Sequence, residues 1–253
     1  MNTRTAAESD EPLDRERLRT ACARCNLREL CVPGGIPASE LERLDALVAM
    51  RRRVGRGAAL YRGGDRFRSL YAVRQGSFKA CLTGGDGREQ ITGFQLPGEL
   101  LGLDGVAFDE HGVDAIALED SEVCVLPYPD LERIARSFPP LQHQLHKVMS
   151  REIVRERDVM TMLGTMRAEE RVAGFLVGLS ERHRRLGYSA TEFVLRMTRE
   201  EIGNYLGLKL ETVSRVFSRL GEAGLISVRG KHVDIVDPAG LREALGNEVL
   251  RRG

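Results

Sequence analysis

Three cysteines stand close together near the start of the chain, Cys22, Cys25 and Cys31, and a fourth, Cys124, lies far downstream. Four thiolates that converge on one point form a soft ligand set, which suits an iron–sulfur cluster or zinc. From spacing alone, the candidates are a [4Fe–4S] cluster, a structural zinc, a dithiol switch or unrelated cysteines. Because C-x2-C-x5-C is not the usual two-pair zinc spacing, the pattern indicates a metal site and leaves iron and zinc open.

The other groups that could do chemistry do not form a catalytic set. The fifth cysteine, Cys81, lies in an apolar stretch that predicts a strand, where a thiol is expected to be a buried apolar residue rather than a ligand. The five histidines are scattered, and the sequence has no HExxH, P-loop or Ser/His/Asp arrangement. An enzyme is therefore not expected, and the alternative in that class is a small iron–sulfur redox protein that docks through a helical tail.

A second group of functional residues lies near the other end of the chain. Residues 198–201 have the S/T-x-x-E form of a capping box, so a helix should begin just after Thr198. That helix reaches Gly207, which suits a tight turn, and a second helix is expected from about Leu210 to Leu220. Two short helices joined in this way are typical of a helix-turn-helix, whose second helix enters the major groove of DNA.

The polar face of this second helix carries side chains suited to base edges. Arg215 can bond guanine O6 and N7 in bidentate fashion, Glu211 can accept from cytosine N4, and Ser214 can serve a base edge. Further side chains are expected to position DNA phosphates: Thr198, Arg199, Lys209, Thr212, Arg219, Arg229, Lys231 and His232. The alternative is a helical hairpin with a solvated charged face, but a predicted β-hairpin wing over residues 225–236 favours DNA binding.

Two regions precede these helices and must position the cysteines. Residues 52–129 hold short apolar stretches cut by glycines, which predict an all-β sandwich or roll with a hairpin at residues 84–87. Beyond Pro139 and Pro140 the apolar period becomes helical to about Met166, and another helix is expected from Ala168 to Leu179.

The long helix has a short heptad seam with charged flanks at Arg151, Arg155 and Arg157. Two residues occupy position a and three occupy position d: Ile153 and Met160, then Met149, Glu156 and Leu163. This spacing favours a dimer, and the alternative is a helix that packs on its own domain.

Composition limits the class of protein. The 253 residues are enough for two domains, and 42% hydrophobic with 30% charged residues is an ordinary globular composition. A net charge of +1 argues against a general polyanion binder. No apolar run has the length of a membrane span, and the polar start lacks a signal-peptide core, so a cytoplasmic protein without membrane contact is expected. Thiols stay reduced there, which favours metal binding or redox chemistry over disulfides.

Together these motifs resemble the FNR-type, oxygen-responsive branch of the CRP/FNR transcription factors. The likeness extends from about residue 22 to residue 236 and rests on the cysteine pattern with several short motifs. These motifs are Leu70-Tyr71-Ala72-Val73-Arg74, Glu89-Gln90-Ile91-Thr92-Gly93-Phe94, Ala168-Glu169-Glu170-Arg171, Met197-Thr198-Arg199, Ile202-Gly203-Asn204-Tyr205-Leu206-Gly207-Leu208 and Glu211-Thr212-Val213-Ser214-Arg215.

The resemblance implies an α+β protein with an N-terminal β-roll of the cyclic-nucleotide-binding type, a long dimerisation helix and a C-terminal winged helix-turn-helix domain. The expected boundaries are 1–36 for the tail and Cys-rich segment, 37–138 for the roll, 139–166 for the helix and 167–253 for the DNA-binding domain. It also implies that Cys22, Cys25, Cys31 and Cys124 hold an oxygen-labile [4Fe–4S] cluster.

The same resemblance implies a homodimeric activator that binds DNA when its cluster is intact, under anaerobic conditions, with RNA polymerase as a partner. Glu211, Ser214 and Arg215 would select a TTGAT…ATCAA palindrome in double-stranded DNA. A zinc- or thiol-based redox regulator of the same fold is the alternative.

At two places the sequence departs from the pattern of the family that it resembles. Nucleotide-binding members of the family carry an Arg-Ser pair after Gly-Glu-Leu, whereas residues 110–114 here supply no arginine, and Asp114 would repel a phosphate. No cyclic nucleotide is therefore expected. An acidic residue inside the dimer helix is typical of FNR-like proteins, and Glu156 takes that place as Glu rather than Asp.

Overall fold

The computed structural model describes residue 31 and residues 50–85 and 87–246. The predicted ligands Cys22 and Cys25 lie outside the described residues.

The described residues form a β-roll with the strands β1 (Met50–Val54), β2 (Ala59–Tyr61), β3 (Ser69–Gln75), β4 (Phe78–Thr83), β5 (Glu89–Gln95), β6 (Leu100–Leu101), β7 (Asp114–Ala117) and β8 (Ser121–Pro127). These strands make two four-stranded antiparallel sheets, with the orders β1-β8-β3-β6 and β2-β7-β4-β5. Val73, Phe78 and Val123 are buried between the sheets. The predicted roll and its β4–β5 hairpin are confirmed.

Two helices follow the roll, α1 (Tyr128–Ser137) and α2 (Pro139–Thr165). The helical period predicts α2, but α1 was not predicted; it has a proline in its first turn, where the missing N–H costs no hydrogen bond. Phe138 separates the two helices with an extended backbone (φ −136°, ψ 85°). A residue that precedes proline is disfavoured in the helical region, so Pro139 ends α1 and begins α2.

Helix α1 and the first turns of α2 pack against the roll through one apolar group, the roll–helix cluster. It consists of Phe67, Leu70, Ala72, Leu100, Leu126, Leu131, Ala135, Phe138 and Leu141. Leu70, Leu131 and Leu141 are almost wholly buried there. Burial of apolar surface stabilises a fold by about 25 cal/mol per Å² removed from water, so this cluster holds the N-terminal end of the long helix on the roll.

The C-terminal domain is a winged helix-turn-helix, as predicted. It contains helices α3 (Ala168–Arg185), α4 (Arg199–Leu206), α5 (Leu210–Glu222) and α6 (Pro238–Glu243), and strands β9 (Glu192–Val194), β10 (Ile226–Arg229) and β11 (His232–Ile235). The wing hairpin β10–β11 gains β9 as a third antiparallel strand, and neither β9 nor α6 was predicted from the sequence. Helix α3 extends beyond its predicted end at Leu179.

Two glycines shape the turn between α4 and α5. Gly207 ends α4 with φ +64°, a left-handed conformation that favours glycine. Gly203 faces the turn so closely that an added Cβ would lie 2.6 Å from the carbonyl oxygen of Leu208. The lack of a side chain at Gly203 therefore permits the close approach of α4 to the turn and to α5.

Within the described parts of the chain, none of the helices combines the length and apolar character that crossing a bilayer requires.

Gly203→Ala should lower the free energy of unfolding by about 1–3 kcal/mol, because the new methyl group must displace the Leu208 carbonyl. Gly178→Ala is the matched control, since Gly178 lies inside α3 with open space around it. That control should gain about 0.5–1 kcal/mol from helix propensity. Urea unfolding of both variants measures the difference, and equal stabilities would contradict the close approach.

Candidate nucleic-acid interface and cysteine site

Helix α5 presents one buried and one exposed face. Val213 and Leu220 are wholly buried against the rest of the domain, whereas Glu211, Ser214 and Arg215 are exposed. Residues three and four positions apart share a helix face, so these three side chains lie together on the outer surface. The structure thus brings the predicted base-reading residues to one accessible patch.

A capping box fixes the start of the preceding helix, as predicted. The Thr198 hydroxyl accepts a hydrogen bond from the Glu201 backbone N–H at 3.1 Å. The Glu201 carboxylate in turn accepts from the Thr198 N–H at 2.8 Å. Together they satisfy two of the backbone donors that a helix start leaves free.

Arg199, a predicted phosphate contact, packs inward in this conformation. Its guanidinium lies 3.3 Å from the centroid of the Phe217 ring, a cation–π contact. Burial lowers the pKa of Arg199 to about 10, and its Nη1 has no hydrogen-bond partner among the described residues. This half-buried cation lies at the start of α4.

The remaining predicted phosphate contacts lie mostly in solvent. Thr212 is half-buried, and Thr198, the N-cap of α4, is exposed. The basic residues are all exposed: Lys209, Arg219, Arg229, Lys231 and His232. Lys209, Thr212 and Arg219 lie at the start of α5 or within it, Arg229, Lys231 and His232 lie on the wing, and Thr198 caps α4. Exposed cations of this kind are suited to DNA phosphates.

Cys31 and Cys124 both contact the roll–helix cluster. Cys124 lies on the central strand β8, paired with Arg51 of β1 and Ala72 of β3, and both thiols are half-buried. The structure therefore places two of the four predicted ligands on one side of the roll. Cys81 differs, because it is wholly buried in the other sheet, as predicted, and burial raises the pKa of its thiol to about 11. A thiol of this kind stays protonated and is a poor ligand.

The cysteine region also contacts helix α2. Gln144, which is only 6% exposed, donates from Nε2 to the Cys31 carbonyl oxygen at 3.1 Å. Leu145, the next residue of α2, and Val148, one turn beyond Gln144, pack against the roll–helix cluster. The position of the backbone at Cys31 is therefore coupled to the N-terminal half of α2.

The predicted heptad seam lies on a mostly uncovered face of α2. Met149 is 41% exposed, and Ile153 and Met160 are each 66% exposed. Glu156 is also exposed between them. Leu163 is half-buried, because it approaches Gly207 in the turn of the same chain.

Three charged residues, whose contacts the sequence does not predict, meet where the roll, α2 and α3 join. The Glu99 carboxylate, 18% exposed, accepts from Arg155 Nη2 at 2.8 Å. It also accepts from Arg182 Nε at 2.9 Å and Nη2 at 2.6 Å, a bidentate pair. Burial acts to raise the pKa of Glu99, but the charges of Arg182 and Arg155 outweigh it and hold the pKa below its ordinary value of 4.5.

Arg171 is another residue whose role the sequence does not reveal. Its guanidinium donates to the carbonyl oxygens of Leu163 at 2.8 Å and Met166 at 2.9 Å, at the end of α2. It also donates to the Leu206 carbonyl at the end of α4, at 3.0 Å. The one sequence signal for Arg171 was its place in the Ala168–Arg171 motif. Arg155, by comparison, was predicted only as a charged flank of the seam.

A β-roll, a long helix and a winged helix-turn-helix define a class of two-domain, DNA-binding transcription regulators. Residues 51–138 match the cyclic nucleotide-binding domain, and residues 170–244 match the Crp-like helix-turn-helix domain. The chain belongs to the CRP/FNR family of transcriptional regulators and is not an enzyme.

Individual relatives share most of the chain. It is 52% identical over 227 residues to the transcriptional regulatory protein btr of Bordetella pertussis, covering 90% of this chain and 94% of that one. It is 41% identical over 225 residues to the anaerobic regulatory protein of Pasteurella multocida, covering 89% and 82%. Among solved structures, FixK2 from Bradyrhizobium japonicum matches with a TM-score of 0.71 and 32% identity, covering 78% of this chain and 98% of that chain.

Glu99→Gln should lower the free energy of unfolding by about 3 kcal/mol at neutral pH, since two largely buried arginines lose the carboxylate that they share. Arg155 keeps a second carboxylate partner in Glu152, at 3.0 Å. Because the pKa of Glu99 is lowered by folding, its stabilisation is present above pH 4.5 and is lost as the pH falls through the folded-state value. The variant should therefore lose less stability on acidification. Urea unfolding across this pH range measures both effects.

Glu132→Gln is the matched control, because Glu132 forms an exposed i,i+4 pair with Arg136. An exposed pair of this kind contributes about 0.5 kcal/mol or less. Indistinguishable stabilities for the two variants would show that the Glu99 carboxylate does not hold the junction.

Proposed function

We propose that the protein is an anaerobic transcription regulator, which binds a palindromic promoter site as a homodimer while Cys22, Cys25, Cys31 and Cys124 hold a [4Fe–4S] cluster. The name of the Pasteurella multocida relative supports the anaerobic role. The observation that carries the proposal is that Cys31 and Cys124 contact the same apolar cluster, which also anchors helix α2.

The donor chemistry fits such a cluster. Iron–sulfur clusters are held by cysteine thiolates, and both described thiols of the set are half-buried rather than enclosed. When bound, the cluster supplies an oxygen-labile link between the Cys-rich segment and strand β8. Cys81 is excluded from this set, because it lies in the opposite sheet with a raised pKa.

The contacts of Gln144 explain how the cysteine region can influence dimerisation. Its hydrogen bond joins the first half of α2 to the backbone at Cys31. The exposed residues Met149, Ile153 and Met160 are the face that a second copy would cover. A dimer formed through this seam would gain stability mainly from burial of these apolar side chains.

Glu156 makes that dimer marginal. It lies within the exposed seam, where two copies would bring like charges together and remove them from water. A two-state equilibrium near balance responds to a modest bias, so a small change in the packing of α2 can decide whether two protomers pair.

Pairing matters because DNA recognition needs two copies of α5. A dimer places its recognition helices about one DNA turn apart, which matches a palindromic site such as TTGAT…ATCAA. Glu211, Ser214 and Arg215 would read bases, and the residues that flank them would hold phosphates. RNA polymerase is the expected partner at promoters that the protein activates.

Two observations support regulation without a cyclic nucleotide. The Glu99 carboxylate is engaged by Arg155 and Arg182. Asp114 accepts a hydrogen bond from the Gly63 backbone N–H at 2.7 Å and pairs with Arg62 Nη1 at 3.3 Å, so that arginine is also already engaged.

Cys124→Ala should abolish iron binding and anaerobic DNA binding, and Cys81→Ala should retain both, because only the first thiol belongs to the proposed ligand set. Anaerobic purification with absorbance, iron and sulfide analysis, followed by a DNA shift before and after air, measures this. Full oxygen-sensitive DNA binding by Cys124→Ala would contradict the proposal. A colourless zinc protein that binds DNA would point to the zinc-based alternative.

Arg215→Ala should weaken binding to the palindrome by about 1–3 kcal/mol per half-site and relax the preference at one base pair. Lys231→Ala, the control on the wing, should weaken binding evenly across sequences and reduce the salt slope by about 1. Titrations against a set of single-base variants distinguish the two. An unchanged base preference in Arg215→Ala would rule out its role in base recognition.

A further inference from the structure

The helix-turn-helix domain lies along one edge of the roll. Within the part of the chain that the structure describes, strand β5 is the outer strand of its sheet, so one side of its backbone faces no other strand. Helix α4 covers this edge. The contact joins residues more than a hundred positions apart in the chain.

Asn204 of α4 bonds this edge as a strand would. Its Oδ1 accepts from the Ile91 backbone N–H at 2.6 Å, and its Nδ2 donates to the Glu89 carbonyl oxygen at 2.7 Å. Gln90 Nε2 also donates to the Asn204 backbone carbonyl at 2.9 Å. A side-chain amide has the same donor and acceptor groups as a peptide, so one Asn satisfies two edge positions.

An ion pair and an aromatic group extend the same interface. Lys79 Nζ lies 3.1 Å from Glu201 Oε1, with side chains 14% and 20% exposed. Phe94 of β5 contacts Tyr205 of α4 and Phe175 of α3 edge-on, with centroid distances of 5.2 and 6.1 Å. The interface therefore combines directional bonds with apolar packing, which fixes an orientation better than either alone.

The orientation of α4 determines that of the recognition helix. Gly203 of α4 packs against the Leu208 carbonyl, and a Cβ added at Gly203 would lie only 3.4 Å from the Val213 side chain of α5. Because α4 and α5 are packed this closely, a rotation of α4 on the roll would move the base-reading patch with it.

We propose that Asn204 is a positioning residue for DNA binding, which holds the recognition helix at a fixed angle to the sensor roll. This inference rests on the proposed function, because only a dimer with two fixed helices must match a half-site spacing. Freedom in either helix costs affinity, since that freedom is lost when DNA binds.

Asn204→Ala tests this with little risk to the fold, because alanine favours a helix more than asparagine does. The variant should keep its cluster absorbance and its dimer mass. It should bind the palindrome about tenfold more weakly, as expected for the loss of the two side-chain hydrogen bonds of Asn204. It should also discriminate less than wild type against sites whose half-site spacing is changed by one base pair.

Gln90→Ala separates positioning from direct DNA contact. Gln90 belongs to the roll, and its loss should weaken binding about threefold with the same relaxed spacing. Glu200→Gln is the control, since Glu200 is exposed on α4 next to the interface residue Glu201. If Asn204→Ala weakens binding and reduces the salt slope while Gln90→Ala has no effect, Asn204 contacts DNA and the inference is overturned.

Hydrogen exchange tests the contact of Asn204 with strand β5 directly, so its result does not depend on the proposed function. The Ile91 amide should exchange faster in Asn204→Ala than in wild type, and equal exchange would overturn the inference whatever the DNA result. If wild-type protein does not bind the TTGAT…ATCAA site, the proposed function fails. The spacing comparison is then made on the duplex that wild type selects from a randomised pool, and unchanged spacing preference in Asn204→Ala there overturns the inference.

Discussion

The Glu99 carboxylate lies where the roll, helix α2 and helix α3 meet, and little of its surface is open to water. A charge in that setting is tolerated only while its partners stay in place, because breaking a buried pair leaves uncompensated charge. Arg155 and Arg182 come from different elements, so a displacement of either helix disturbs the same carboxylate. The three parts are therefore expected to change position together rather than one at a time.

Local signals were sufficient to predict most of the DNA-binding domain. The capping box at Thr198 and the left-handed Gly207 each depend on residues within one turn of the chain, and both appear as predicted. The buried state of Cys81 also followed from its immediate apolar neighbours. The base-reading residues could be assigned to one face because helical spacing alone decides that grouping.

The contacts that join the parts were not predictable in this way. Glu99 and Arg182 are separated by 83 positions, and Ile91 and Asn204 by 113. No local pattern marks such pairs, since the chain neighbours of one residue carry no information about its distant partner. Arg155 was predicted as a charged flank for this reason, although its partner lies in the roll. Helix α1 was missed because the strand pattern was extended to Pro129 and the double proline was treated as the only boundary.

The roll depends on the C-terminal domain to cover the edge of strand β5. Unpaired strand edges recruit other strands, and natural proteins cover or charge them to prevent intermolecular sheets. In this chain the cover comes from α4, a helix of the other domain. A roll produced without its C-terminal half would present bare backbone donors and acceptors at Glu89 and Ile91, and self-association into extended sheets would then compete with folding. By covering this edge, the C-terminal domain is thus also expected to keep the roll from self-association.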